Sequence, residues 1–337
     1  MTAATAPALE LVCPAGSPAM LKAAVEAGAD SVYCGFRDET NARNFPGLNF
    51  SPEELRVATD WAHERGARVL LALNTFARAD ATDLWRASAD AAARAGVDAV
   101  IAADLAVLSH MHSDHPDTRL HLSVQAAAGT PEAIAFYARE YGVKRVVLPR
   151  VLSVEEIKAL SREITVETEA FVYGGLCVMA EGRCALSSYA SGRSPNLSGV
   201  CSPPEAVSFR DTDGARTTRL SGFAVDRLPA GEAGGYPTLC KGRFHGGESD
   251  EAGYLFEDPV SLNAMSLLAG LAEAGVTAVK IEGRQRGRAY VARVTAAFRA
   301  AIDAIGRGES PAPYESLLND LAEGARETTG AYRKRWR

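Results

Sequence analysis

The stretch "RVLLALNTFARADATDLWRASADAAARAGVDAVIAAD" (68–104) sets the fold. It opens on an apolar run, "RVLLALNT", too short for a helix and rich in Leu and Val. An Ala- and Leu-rich amphipathic segment follows and stops near Gly96, and a second apolar run, "AVIAAD", closes the unit. Strand, helix, strand is the economical reading, and it places the two strands parallel in one sheet.

The same unit recurs on both sides. Apolar runs lie at 9–16, 31–35, 68–75, 99–104, 120–125, 145–150, 165–174 and 278–284. The intervening segments begin at N-cap residues, and Ser51-Pro52-Glu53-Glu54 and Ser153-Val154-Glu155-Glu156 have the form of capping boxes. Eight β/α units without a Gly-x-Gly-x-x-Gly fingerprint predict a (β/α)8 TIM-like barrel; a doubly wound open sheet is the alternative. Strands this apolar suit a sheet covered on both faces.

One interval breaks the rhythm. About 100 residues separate the seventh run from the eighth, far more than a βα connection uses. The expected organisation is therefore seven barrel units over 1–175, an insertion with a return helix over 176–277, and the eighth strand, closing helix and tail over 278–337. The insertion is placed at the C-terminal rim of the barrel, where active sites sit. Within it, "AVSFRDTDGARTTRLSGFAVD" reads as a hairpin around Asp213-Gly214.

Composition bounds the function. The chain has 337 residues, 47% hydrophobic and 23% charged, with a net charge of 36 − 42 = −6. That balance counts against non-specific binding to nucleic acid and gives no expectation of a DNA partner. No apolar run reaches the roughly 18 residues that a transmembrane helix needs, and no secretory leader is evident. Six cysteines are too few for a disulfide scaffold, so the expected setting is a reducing cytoplasm.

Four of those cysteines, Cys177, Cys184, Cys201 and Cys240, fall in the insertion, with 6, 16 and 38 residues between them. The spacing matches neither a zinc knuckle nor a common ferredoxin. An iron–sulfur cluster, a four-thiolate zinc site and buried thiols all stay open on these grounds. Cys13 and Cys34, on strands one and two, read as small buried residues.

The run "EAFVYGGLCVMAEGRCALS" (169–187) resembles the signature of the collagenase-like U-series peptidase family, departing from it mainly at Gly175. Stretches such as "DETNARNFPGLNF", "GYPTLCKGR" and "VKIEGRQRGRAYV" extend the resemblance over nearly the whole chain. The resemblance implies that the four insertion cysteines hold a 4Fe–4S cluster. It further implies oxygen-independent hydroxylation of a ubiquinone precursor, with prephenate as oxygen donor, in a heterodimer with a UbiV-like paralogue. Hydroxylation of rRNA or tRNA is the alternative within the family, and peptidase activity a weaker one. A structural role for the cluster is a third. So apolar a quinone precursor would reach a chain without a membrane helix through the partner or a lipid-carrier protein.

A diacid donor needs cations arranged for two carboxylates. "KIEGRQRGR" (280–288) supplies Lys280 and Arg284 at the end of strand eight, with Arg288 read as a solvated helix start. Asn74, Asp104, Gln125 and Arg150 stand at strand ends, and Asn41 and Arg43 on the long loop 38–50 reach toward the same rim. Glu282, Asp104 and Glu181 are the acid–base candidates. No Gly-x-Ser-x-Gly or His-Glu-x-x-His motif is present. His110, His112 and His115 in "SHMHSDH" read as a polar loop on the barrel's other face.

Overall fold

Each apolar run forms a strand of one parallel sheet: β1 (Glu10–Pro14), β2 (Ser31–Cys34), β3 (Arg68–Leu73), β4 (Ala99–Ala102), β5 (Arg119–Leu122), β6 (Arg145–Val147), β7 (Glu167–Gly175) and β8 (Ala278–Ile281). Consecutive strands pair in parallel, β8 pairs with both β1 and β7, and the sheet closes into an eight-stranded barrel. This is a computed structural model; it describes residues 9–177, 184–195, 200–232, 237–246, 251–322 and 326–333. Glu181 lies outside the described residues.

Helices α1 (Pro18–Glu26), α2 (Pro52–His63), α3 (Thr82–Arg94), α4 (Leu105–Asp114), α5 (Pro131–Tyr141) and α6 (Val154–Ser161) follow the first six strands. Helices α7 (Ala185–Ser191) and α8 (Leu268–Glu273) lie between β7 and β8, and α9 (Arg288–Gly306) follows β8. Ser51 and Ser153 cap α2 and α6 through complete capping boxes, with Glu54 and Glu156 reaching back to the cap backbone. No helix among the described residues is long and apolar enough to cross a membrane.

Strand alternation sorts the side chains into two cores. Val12, Tyr33, Leu70, Ala99, Ile101 and Ala278 pack inside the barrel. Their neighbours Leu11, Cys13, Val32, Cys34, Val69, Leu71 and Val100 pack outward, within the core that includes the helices. Cys13 and Cys34 are fully buried there, as expected, and burial pushes each thiol up to about 12.

The barrel interior is less apolar than its strands suggest. Glu169, with no exposure, meets Lys280 Nζ at 2.5 Å and Arg145 Nη1 at 3.3 Å. Arg145 also reaches Glu10 at 2.6 Å and Glu167 at 2.7 Å. Buried charges survive because each is paired and hydrogen-bonded. His121 is buried near them with neither ring nitrogen hydrogen-bonded; burial first, then the positive charge of Arg145, holds it neutral, well below its ordinary range.

Between β7 and β8, strands Val207–Thr212 and Ala215–Leu220 form the expected hairpin. Asp213 and Gly214 both have positive φ, 52° and 70°, the geometry of a two-residue turn matched to strand twist. A third strand, Phe223–Pro229, extends it into a meander through a second such turn at Ser221 and Gly222. A short strand, Ser261–Asn263, then pairs antiparallel with the last residues of β7.

Removing either capping side chain, Ser51→Ala or Ser153→Ala, is expected to lower the unfolding free energy by about 1 kcal/mol. Urea titration should show a reduced midpoint with an unchanged slope; no shift in either variant would refute the capping role.

Candidate functional site

A cavity of about 560 Å³, counted with its open mouth, lies at the C-terminal end of the barrel. This is the end of a barrel where active sites sit. Tyr33, Ala72 and Ile101 line it from the strands, and four cationic side chains, Arg43, Arg150, Lys280 and Arg284, also face it. So do Asn74, Gln125 and Glu282.

Arg284 anchors the arrangement. It is 4% exposed, and its Nη1 donates to Asn41 Oδ1 at 2.7 Å. Two glycines make this approach possible: a Cβ at Gly35 would lie 2.4 Å from the Asn41 amide and 2.8 Å from Arg284 Nη1. A Cβ at Gly16 would lie 2.0 Å from the Arg284 carbonyl oxygen. Burial pushes the Arg284 guanidinium down to about 10, which leaves it charged at neutral pH.

Loop 38–50 brings the next groups. Asn41 is fully buried; its amide donates to Phe36 O at 3.0 Å and its oxygen also accepts from Arg43 N. Asn41 thus positions Arg284 from behind. Asn74 accepts from Ala42 N at 3.0 Å, tying the loop to the end of β3. Phe50 is buried, so it packs the loop down. Arg43 Nε lies 3.7 Å from Glu282 Oε1. Across the rim, Arg150 donates to Gly175 O at 3.1 Å and stands over the Phe171 ring at 4.8 Å. Gln125 projects from a 3₁₀ turn after β5, Val124–Ala126.

Two sequence candidates are engaged elsewhere. Asp104 is not among the cavity-lining residues. Its carboxylate caps α4, accepting from Ala106 N at 2.8 Å, and also accepts from Ala77 N at 3.0 Å. Lys280 lines the cavity, but its charge is matched by Glu169 beneath it, and its ammonium sits 4.0 Å from the centre of the Tyr33 ring. Among the described residues, the mouth thus gathers the guanidinium groups of Arg43, Arg150 and Arg284, with the carboxylate of Glu282 beside Arg43. Arg288 is exposed at the start of α9 and does not line the cavity.

Tyr33, Phe171 and Glu169 escaped the sequence reading. Glu169 had a signal, a carboxylate interrupting an apolar strand; Tyr33 had only its alternate position in "SVYCG".

The four insertion cysteines converge beside this mouth. Burial pushes the Cys201 thiol up to about 11; Arg43 pulls it back, and Cys177, Cys184 and Cys240 raise it further. Each of the three is thus close enough for its charge to be felt. Burial likewise raises Cys240, again with Cys177 adding to it. For Arg43, burial works against the charge, but Glu282, Cys201 and Cys177 outweigh it. A thiol whose ionisation three neighbouring thiols oppose needs a cationic centre for the set to ionise together, so this donor set fits a thiolate-bound metal group.

The model of peptidase family U32 matches residues 16–334. The chain belongs to peptidase family U32. Among U32 relatives, the tRNA hydroxylation protein P1 of Bacillus subtilis is 29% identical over 296 residues, covering 88% of this chain and 63% of that protein. The collagenase of Porphyromonas gingivalis is 30% identical over 310 residues, 89% of this chain and 66% of that protein. The 23S rRNA 5-hydroxycytidine C2501 synthase of Escherichia coli is 30% identical over 300 residues, 88% of this chain and 40% of that protein. This U32 chain thus spans about two thirds of the length of the first two relatives and less of the third.

Native, cluster-free U32 protein treated with iodoacetamide at pH 8 is expected to label the exposed Cys177 first and to leave Cys13 and Cys34 unlabelled. Peptide mass spectrometry reads the order; labelling of Cys13 or Cys34 before unfolding would contradict their burial.

Proposed function

We propose that this U32 protein is the iron–sulfur subunit of an oxygen-independent hydroxylase. Cys177, Cys184, Cys201 and Cys240 hold a 4Fe–4S cluster, and the barrel mouth holds a small dicarboxylate oxygen donor, prephenate. The observation that carries this reading is the convergence of Arg43, Arg150 and Arg284 on one mouth, with Arg43 acting on both the mouth and the thiols. When bound, the cluster supplies one-electron transfer.

The chain's own residues do the rest. Arg284, oriented by Asn41, and Arg43 and Arg150 present guanidinium groups to the two carboxylates, a match of planar forks to planar acceptors. Tyr33 and Phe171 wall the ring of the donor. Glu282, the carboxylate among the described lining residues, is placed to take a proton from the acceptor.

For the acceptor, the proposed substrate is a ubiquinone-precursor ring, the chain acting as UbiU in a heterodimer with a UbiV-like paralogue. The motifs quoted along the whole chain support this, as does the net charge of −6. RNA hydroxylation is the second reading, and the names of two relatives favour it: one is a tRNA hydroxylation protein and the other an rRNA hydroxycytidine synthase. A peptidase has less support, since no histidine is among the described residues lining the mouth.

Anaerobic growth of a deletion strain separates the substrates. Accumulated unhydroxylated quinone precursor with normal nucleosides supports the first reading; loss of a hydroxylated nucleoside with normal quinone supports the second. Anaerobically purified protein should carry iron and sulfide and give a cluster EPR signal that Cys177→Ala abolishes; stoichiometric zinc without iron would refute the cluster. Arg284→Ala and Arg43→Ala should each lower activity at least ~30-fold, the scale of a lost buried charge contact, while Arg288→Ala leaves it unchanged. Full activity in both arginine variants would refute the anion site.

A further inference from the structure

The histidine cluster "SHMHSDH" is not a polar loop. His110 and His112 lie on α4, and His115 is its C-cap residue. His110 Nε2 and His115 Nε2 both approach the same oxygen, Asp90 Oδ1 of α3, each at 2.7 Å. His110, His115 and Asp90 are half-buried. Their three donor atoms lie within 4.8 Å of one another, a closeness that no other group of His, Cys, Asp and Glu among the described residues shares.

The second nitrogen of His110 is also engaged. Its Nδ1 lies 2.9 Å from Asp114 Oδ2, one helical turn on. When a metal replaces the proton on Nε2, a carboxylate on Nδ1 keeps the remaining proton there, the relay found behind metal-bound histidines. Two imidazole nitrogens and a carboxylate oxygen form a donor set for zinc and its neighbours in the transition series, with one position left for water.

We propose that Asp90, His110 and His115 bind a divalent transition-metal ion, with Asp114 orienting His110. A metal at about 2.0–2.1 Å from each donor needs donors roughly 3.3 Å apart in a tetrahedron. The present 2.7 Å contacts are the proton-bridged form of the site, and metal entry displaces those protons and opens the donors by about half an ångström. The site clips α3 to α4. Both helices run back toward the start of the next strand, so the site lies near the barrel's N-terminal end, away from the mouth. On a barrel that end serves stability, so the metal is structural.

The test uses tag-free, anaerobically purified protein carrying its cluster, titrated with Co²⁺. The expected result is one added Co²⁺ with the weak visible bands of nitrogen–oxygen ligation and no thiolate charge-transfer band, displaced by Zn²⁺. Asp90→Ala and His115→Ala should abolish this binding. Asp114→Ala should weaken it about 10–100-fold, and His112→Ala, altering the exposed histidine outside the group, should leave it unchanged. Cluster iron should be the same throughout. In wild type, where no variant has to fold, proton NMR of the cobalt form should show two paramagnetically shifted imidazole N–H resonances. The proposal is overturned if wild type binds no nitrogen–oxygen cobalt, if the two shifted resonances are missing, or if binding survives in Asp90→Ala and His115→Ala. It is equally overturned if His112→Ala abolishes binding; unchanged affinity in Asp114→Ala would overturn the role of Asp114.

Discussion

The pair between Lys280 and Glu169 is the contact on which the barrel and its mouth both depend. It joins β8 to β7, the seam where the sheet closes, and it is almost completely excluded from water. Arg145 of β6 and Glu10 of β1 continue the network across the strands on either side. Leaving one partner of such a pair alone costs about 3–5 kcal/mol, so the four strands are held in register by mutual charge compensation. The same pairing determines what the mouth can bind. Because Lys280 is neutralised from below, the charge that the described residues offer above the Tyr33 ring is that of Arg43, Arg150, Arg284 and Glu282.

The thiols obey a related constraint from the other side. Cys177, Cys184 and Cys240 all oppose ionisation of Cys201, so the set needs a compensating cation to ionise together. Arg43 acts on Cys201, and Glu282, Cys201 and Cys177 act on Arg43 in turn. The insertion and the barrel mouth are thus electrostatically one system, joined through the Arg43 guanidinium.

What the sequence made legible was local. Strand and helix periods and capping boxes are encoded within a few residues of where they act, so the eight units and the cappers Ser51 and Ser153 are readable directly. The mouth was readable in part, because polar residues at apolar strand ends are conspicuous: Asn74, Gln125, Arg150 and Arg284 gather there. Asp104 has the same appearance but a different partner set, and only the spatial placement of Ala77 identifies it as a backbone anchor. His110 and His115 were misread for the same reason, since the residue that unites them, Asp90, belongs to the preceding helix. Phe223–Pro229 escaped because its turn carries the less distinctive pair Ser221-Gly222.

Loop 38–50 is fastened along its length: Phe36 bridges to Phe50, Asn41 holds Phe36 O and Arg284, and Asn49 holds Arg43 O. A rim built this way has little conformational entropy left to lose when a ligand arrives. Discrimination then rests on fixed spacing between cations rather than on closure around the ligand. Exchange of the side chains this collar carries would retune which diacid is accepted, while the strands beneath it keep their packing.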